Sequence, residues 1–153
     1  MKKLLIVLAS ITALAVAACS TTVSQVATDV QLVATGVEAV LTAVKGISGV
    51  SSDTIADIEK YVTIVKDDAA KVAADTSSAG TDKVQEIVAA VKSINSIVGA
   101  LAGVPSGVTA LINAAVSLLP TLLQAAGISS ADMSAQAPVY SAAQARAILS
   151  AVR

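Results

Sequence analysis

One thiol, two phenols and scattered carboxylates are the only side chains here that could take part in chemistry beyond simple charge. The 153 residues contain no His, no Trp and no Phe, a single cysteine (Cys19) and two tyrosines, Tyr61 and Tyr140. Without His, and with one Cys, neither a His/Cys zinc site nor a His-dependent triad can be assembled. A lone thiol cannot close an internal disulfide. Asp67 and Asp68 are adjacent on an expected helix, so their side chains diverge by about 100° and cannot serve as a paired acid and base. Together they read as a solvated face. Asp53, Asp57 and Glu59 could hold a cation weakly, but acids near a helix start also favour the helix dipole, which is the simpler account. Serines lack a base, and no glycine-rich loop has nucleotide-binding spacing. Tyr61 reads as a packing residue at a seam edge. No catalytic residue, metal, cofactor or small-molecule substrate is therefore expected. The protein reads as a non-enzyme.

Composition narrows the partners further. Ten basic residues against eleven acidic ones give no electrostatic footprint for nucleic acid. Aromatic residues make up 1% of the chain, so no platform exists for stacking bases. Hydrophobic residues make up 55%, which argues against disorder. The length suits one domain.

The context of Cys19 is its most informative property. Lys2 and Lys3 open the chain, and Leu4 to Ala18 follow without a charge. That apolar run is shorter than the ~20 residues of a spanning helix and has the form of a secretory signal. It ends Val16-Ala17-Ala18-Cys19, which resembles a bacterial lipobox: an aliphatic residue, two small residues, then the cysteine that receives lipid. Leu is usual at the first position, so Val16 is a departure. The resemblance covers residues 1 to 19. It implies cleavage between Ala18 and Cys19, a diacylglyceryl group on the Cys19 sulfur as the only non-protein group, and an acylated (palmitate-type) amine. Two or more acyl chains make a durable anchor, because each buried methylene contributes about 0.8 kcal/mol. Ser20, where an inner-membrane retention signal would often be Asp, resembles outer-membrane sorting. Two other readings of the segment remain: an ordinary signal cut after Ala13-Leu14-Ala15 or Ala15-Val16-Ala17, and an uncleaved anchor.

The remainder must position whatever the anchor holds, and its pattern is helical. Val23, Val26, Val30, Val33, Val37, Val40, Val44 and Ile47 step by alternating threes and fours, an a/d seam. Thr22 with Gln25 has capping-box form, and Gly46 and Gly49 end the run. Ser51, Ser52 and Asp53 offer caps for a second helix with seam Ile55, Ile58, Val62, Val65, Ala69 and Val72, and with an Asp67–Lys71 pair on its polar side. Residues 76–81 read as a loop. A third helix starts near Asp82 with seam Val84, Ile87, Val91, Ile94, Val98 and Leu101, broken by Gly103, Pro105 and Gly107. Gly99 and Gly103 have the Gly-x-x-x-Gly spacing of a close helix crossing.

No charge occurs from Ser93 to Ala131. Within this stretch Val108 to Ala126 is expected to form a fourth helix capped by Ser106, with Pro120 kinking or splitting it. It is apolar on more than one face, so it is buried in a core or in lipid. Ile128 to Tyr140 reads as a linker. Ser141 and Gln144 form a capping-box pattern before a short helix over 142–153, with Ala145, Ile148, Leu149 and Val152 on one side and Arg146 and Arg153 on or beyond the polar side. That helix docks on the bundle or binds a partner.

The expected architecture is all-α: an antiparallel helical bundle of three to four heptad-patterned helices plus a short C-terminal helix, after a cleaved signal peptide. Its segments are 1–18 (signal peptide), 19–129 (lipid-anchored bundle) and 130–153 (linker and C-terminal helix). The expected function is a non-catalytic structural or protein-interaction role in the cell envelope, on the periplasmic face of the outer membrane. The partners would be the membrane, through the lipid anchor, and a protein partner or a second copy through the seams. Only Ser20, Thr21 and Thr22 separate the lipid from the first helix. The design is similar to Braun-type lipoproteins but departs from them in having several helices and Arg153 in place of a terminal lysine, so covalent cell-wall attachment is not implied. The alternatives are a pore-forming or holin-like protein that inserts residues 93–131, and a phage- or plasmid-borne exclusion lipoprotein.

Overall fold

A computed structural model of the chain describes residues 25–74, 81–128 and 138–152. The described residues form five helices and no strand. These are α1 (Gln25–Lys45), α2 (Ser52–Ala74), α3 (Thr81–Ala100), α4 (Ser106–Ala125) and α5 (Ala142–Ser150). The protein is an all-α helical bundle. Thr22, Val23 and most of the two expected loops lie outside the described residues.

The valine seams form the core. Val30, Val33, Val37, Val40 and Val44 of α1 are fully buried, as are Ile58 and Val65 of α2 and Ile87, Val91 and Ile94 of α3. Val26 and Ile47, at the ends of the described part of the first seam, are half-buried against that core. Valine propagates a helix less well than alanine, by up to ~0.7 kcal/mol, whereas full burial of its side chain contributes ~1.5–3 kcal/mol. Packing therefore outweighs propensity at each seam position, and the helices depend on one another. Hydroxyls that would compete with the helical backbone are absorbed by it. Thr35, Thr42, Thr63 and Ser93 each donate to the carbonyl four residues earlier.

Polar contacts show that α1 and α2 run antiparallel. Gln31 donates to the Ala69 carbonyl (3.4 Å), Lys66 pairs with Glu38 (2.9 Å), and Lys45 pairs with Glu59. Positions ascending in α1 thus meet positions descending in α2. Short turns at residues 46–51 and 101–105 continue the up-down path.

Helix ends agree with the sequence in part. Ser51 Oγ accepts from the Thr54 N–H and caps α2. Ser141 and Gln144 make the full reciprocal box at α5. Ser106, expected to cap α4, is instead its first helical residue. Pro105 holds the cap position with no side-chain bond, because its fixed φ (−58°) already sets the chain for helix entry. Helix α4 runs unbroken through Pro120, so Pro120 does not split it. It ends in a Schellman turn. Ile128 N–H reaches the Leu123 carbonyl (2.9 Å), Gly127 N–H reaches the Gln124 carbonyl (3.1 Å), and Gly127 takes φ +73°.

Candidate functional site: the seat of the C-terminal helix

The short helix α5 docks on the bundle, in contact with α1 and α4. Its Ala145 and Leu149 are fully buried. On α1 Asp29 and Gly36, two helical turns apart and both buried, face it. Gly36 lets the two helices approach, since a Cβ built there would lie 2.4 Å from Leu149 Cδ2. On α4, Ser117 is buried and used twice. Its Oγ donates to the Asn113 carbonyl (2.7 Å) and accepts the Tyr140 N–H (3.2 Å). Tyr140 and the capping box at Ser141 thereby fix where α5 begins.

The charged element of the seat is a two-pronged ion pair. Arg146 Nε and Nη2 donate to Asp29 Oδ1 and Oδ2, each at 2.7 Å. Asp29 is 1% exposed and Gln25 also donates to its Oδ1 (3.0 Å). The hydrogen bond from Arg146 to Asp29 outweighs burial and holds the guanidinium above its ordinary range. Two parallel N–H···O bonds fix direction as well as distance, so the pair aligns α5 on α1.

A second buried carboxylate joins α2 to α3. Asp68 is 3% exposed. Its Oδ1 lies 3.0 Å from Lys71 Nζ and 3.7 Å from Lys83 Nζ, and Lys83 also bonds both oxygens of Glu86 (2.9 Å each). Burial raises the Asp68 carboxyl, but Glu86, Lys71 and Lys83 together lower it more, so it ionises below the usual carboxylate range. Asp68 Oδ2 has no hydrogen-bond partner among the described residues.

These contacts correct several readings of the sequence. Asp67 is exposed but Asp68 is not, so the two do not share a solvated face. Lys71 pairs with Asp68, three residues away, and not with Asp67. Arg146 lies in the seat of α5, with its side chain 32% exposed. Gly99 has open space where a Cβ would stand, and Gly103 is a turn residue with φ +75°, so among the described residues no helix crosses there. Tyr61 is half-buried against the core, with Lys60 Nζ 5.9 Å from its ring centre. Glu59, one of the three acids that could hold a cation, is engaged by Lys45. Among the described residues no three His, Cys, Asp or Glu side chains come together as a metal site. Ala18 and Cys19, the expected cleavage and lipidation residues, lie outside the described residues.

One sequence signal could have found the seat. Asp29 is the only charge between Lys3 and Glu38, and Arg146 is the only charge between Asp132 and Arg153. Each is isolated in apolar sequence, where an unpaired charge would be costly to bury. Comparison with family models, with curated proteins and with solved structures gave no match for this chain.

Proposed function

We propose that this protein is a bacterial lipoprotein, held at the periplasmic face of the outer membrane by a lipid on Cys19, with a non-catalytic structural or protein-interaction role. One observation carries the reading. The only thiol of the chain stands directly after Val16-Ala17-Ala18, at the end of a basic-then-apolar start. A free thiol in an oxidising compartment is a liability, and thioether formation removes it. The helical bundle is compatible with such a role. Its first described helix begins at Gln25, a few residues from Cys19, so the lipid would hold the bundle against the bilayer.

Metabolic labelling with a fatty-acid probe tests this. The wild-type chain is expected to incorporate the probe, and Cys19→Ala is expected not to. A wild-type product carrying a free sulfhydryl, or an N-terminus other than Cys19, would remove the assignment.

A further inference from the structure

We infer that α5 is a latch that keeps the bundle water-soluble, and that an anionic lipid bilayer opens it. Among the described residues two helices are long and apolar enough to cross a membrane, α1 and α4. They are also the two helices on which α5 is seated, through Gly36 and Asp29 on α1 and through Ser117 on α4. Each has about half of its length buried inside the bundle. Part of that cover is a helix of nine residues. Nine residues are too few for a stable isolated helix in water, so α5 stays folded only while docked. Its release therefore returns chain entropy as it uncovers α1 and α4.

The occupant follows from charge. Helix α4 has no charged residue on any face, and its length of 20 residues matches a hydrocarbon core of ~30 Å. Its polar residues Ser106, Thr109, Asn113, Ser117, Thr121 and Gln124 are neutral and recur every three to four positions, a stripe that helices in lipid can satisfy against one another. Arg146 determines which bilayer. Its fork now grips the Asp29 carboxylate, and a phosphate headgroup offers the same paired oxygens. An anionic membrane thus competes with Asp29 for Arg146, and winning that competition frees α5.

The test uses the exported chain with Cys19→Ser, so that no acyl group contributes to binding and the result is independent of the lipoprotein reading. Calcein-loaded vesicles of phosphatidylglycerol and of phosphatidylcholine are compared. Asp29→Asn weakens the latch and leaves Arg146 free. It is expected to speed dye release from phosphatidylglycerol vesicles about thirtyfold over the parent, less than losing one partner of a fully buried pair would give, because the Arg146 side chain is 32% exposed. Release from phosphatidylcholine should rise far less. Leu149→Ala loosens α5 through packing alone and is expected to act in the same direction. Exchanging the charges, Asp29→Arg with Arg146→Asp, restores the pair and should return release to the parent rate. Amide exchange identifies what has opened: residues 142–150 should lose protection while α2 and α3 keep theirs. If Asp29→Asn melts the whole bundle, Leu149→Ala decides by the same two readouts. Release within twofold of the parent while α5 is unprotected overturns the inference. So does release that is equal from both lipids, or an open form that pairs with a second copy and leaves vesicles intact.

Discussion

The contact between Gly36 and Leu149 makes a prediction whose sign depends on the genetic background. Leu149 is fully buried, so Leu149→Ala should cost about 2–5 kcal/mol through lost transfer energy and the cavity left behind. Gly36→Ala by itself has two opposed effects. Alanine in a helix interior is favoured over glycine by about 1 kcal/mol. The new Cβ, however, would stand 2.4 Å from Leu149 Cδ2, a distance at which the tip of that buried side chain must shift. Overpacking of this kind costs about 1–3 kcal/mol, so the single variant should be neutral to about 2 kcal/mol destabilised. With Leu149 already truncated the obstruction is gone, and Gly36→Ala should stabilise by about 1 kcal/mol. The coupling between the two sites is then about 1–3 kcal/mol. Urea unfolding followed by circular dichroism at 222 nm, on the parent, both singles and the double, measures it. If Gly36→Ala shifts stability by the same amount in both backgrounds, α5 does not rest on α1 at this point, and the account of the seat is wrong.

Acid should weaken the α2–α3 junction. Asp68 ionises below the usual carboxylate range when folded, so its contribution is present above its unfolded value, near pH 4, and is lost as pH falls through the lower folded value. Melting temperature should drop on acidification below about pH 4, and Asp68→Asn should flatten that drop while lowering stability at neutral pH. Lys83 is shifted upward, chiefly by its hydrogen bond to Glu86, so its contribution is held at neutral pH and lost in strong alkali as pH rises through the folded value. Pro120→Ala restores a donor inside α4 and should raise thermal stability, by about 1–3 kcal/mol. Ser141→Ala removes the cap of α5 and should cost about 1 kcal/mol, read as faster amide exchange in residues 142–150 with little change in α2 and α3.

Spacing made the four long helices legible because a seam is a local property. Val30 through Val44 announce a buried stripe without reference to any other part of the chain. The capping box at Ser141 and the stop at Gly103 are local in the same way. The seat of α5 is not. Arg146 meets a partner 117 positions away, and Gly36 is required by a leucine from the far end of the sequence. Neither demand leaves a periodic trace. Asp68 was hidden for a different reason. It adjoins Asp67 and seam residue Ala69, and a rotation of about 100° per residue separates exposure from burial. Pro120 does not split α4 because a helix can lose one internal hydrogen bond without breaking where buried neighbours such as Leu119 and Leu122 hold it in place. Cys19 lies outside the described residues, and residues 1–19 alone bear on its role.

The joining of α1 to α5 also sets an order of events in synthesis. Helix α1 leaves the ribosome before every other described helix, yet the guanidinium that completes its Asp29 facet is carried by α5, the last of them. Until then the Asp29 carboxylate lacks its guanidinium and has only the Gln25 amide of its own helix. A nascent chain in that condition has no finished native state to collapse into. It remains threadable, and the last step of folding waits for the last helix to be made.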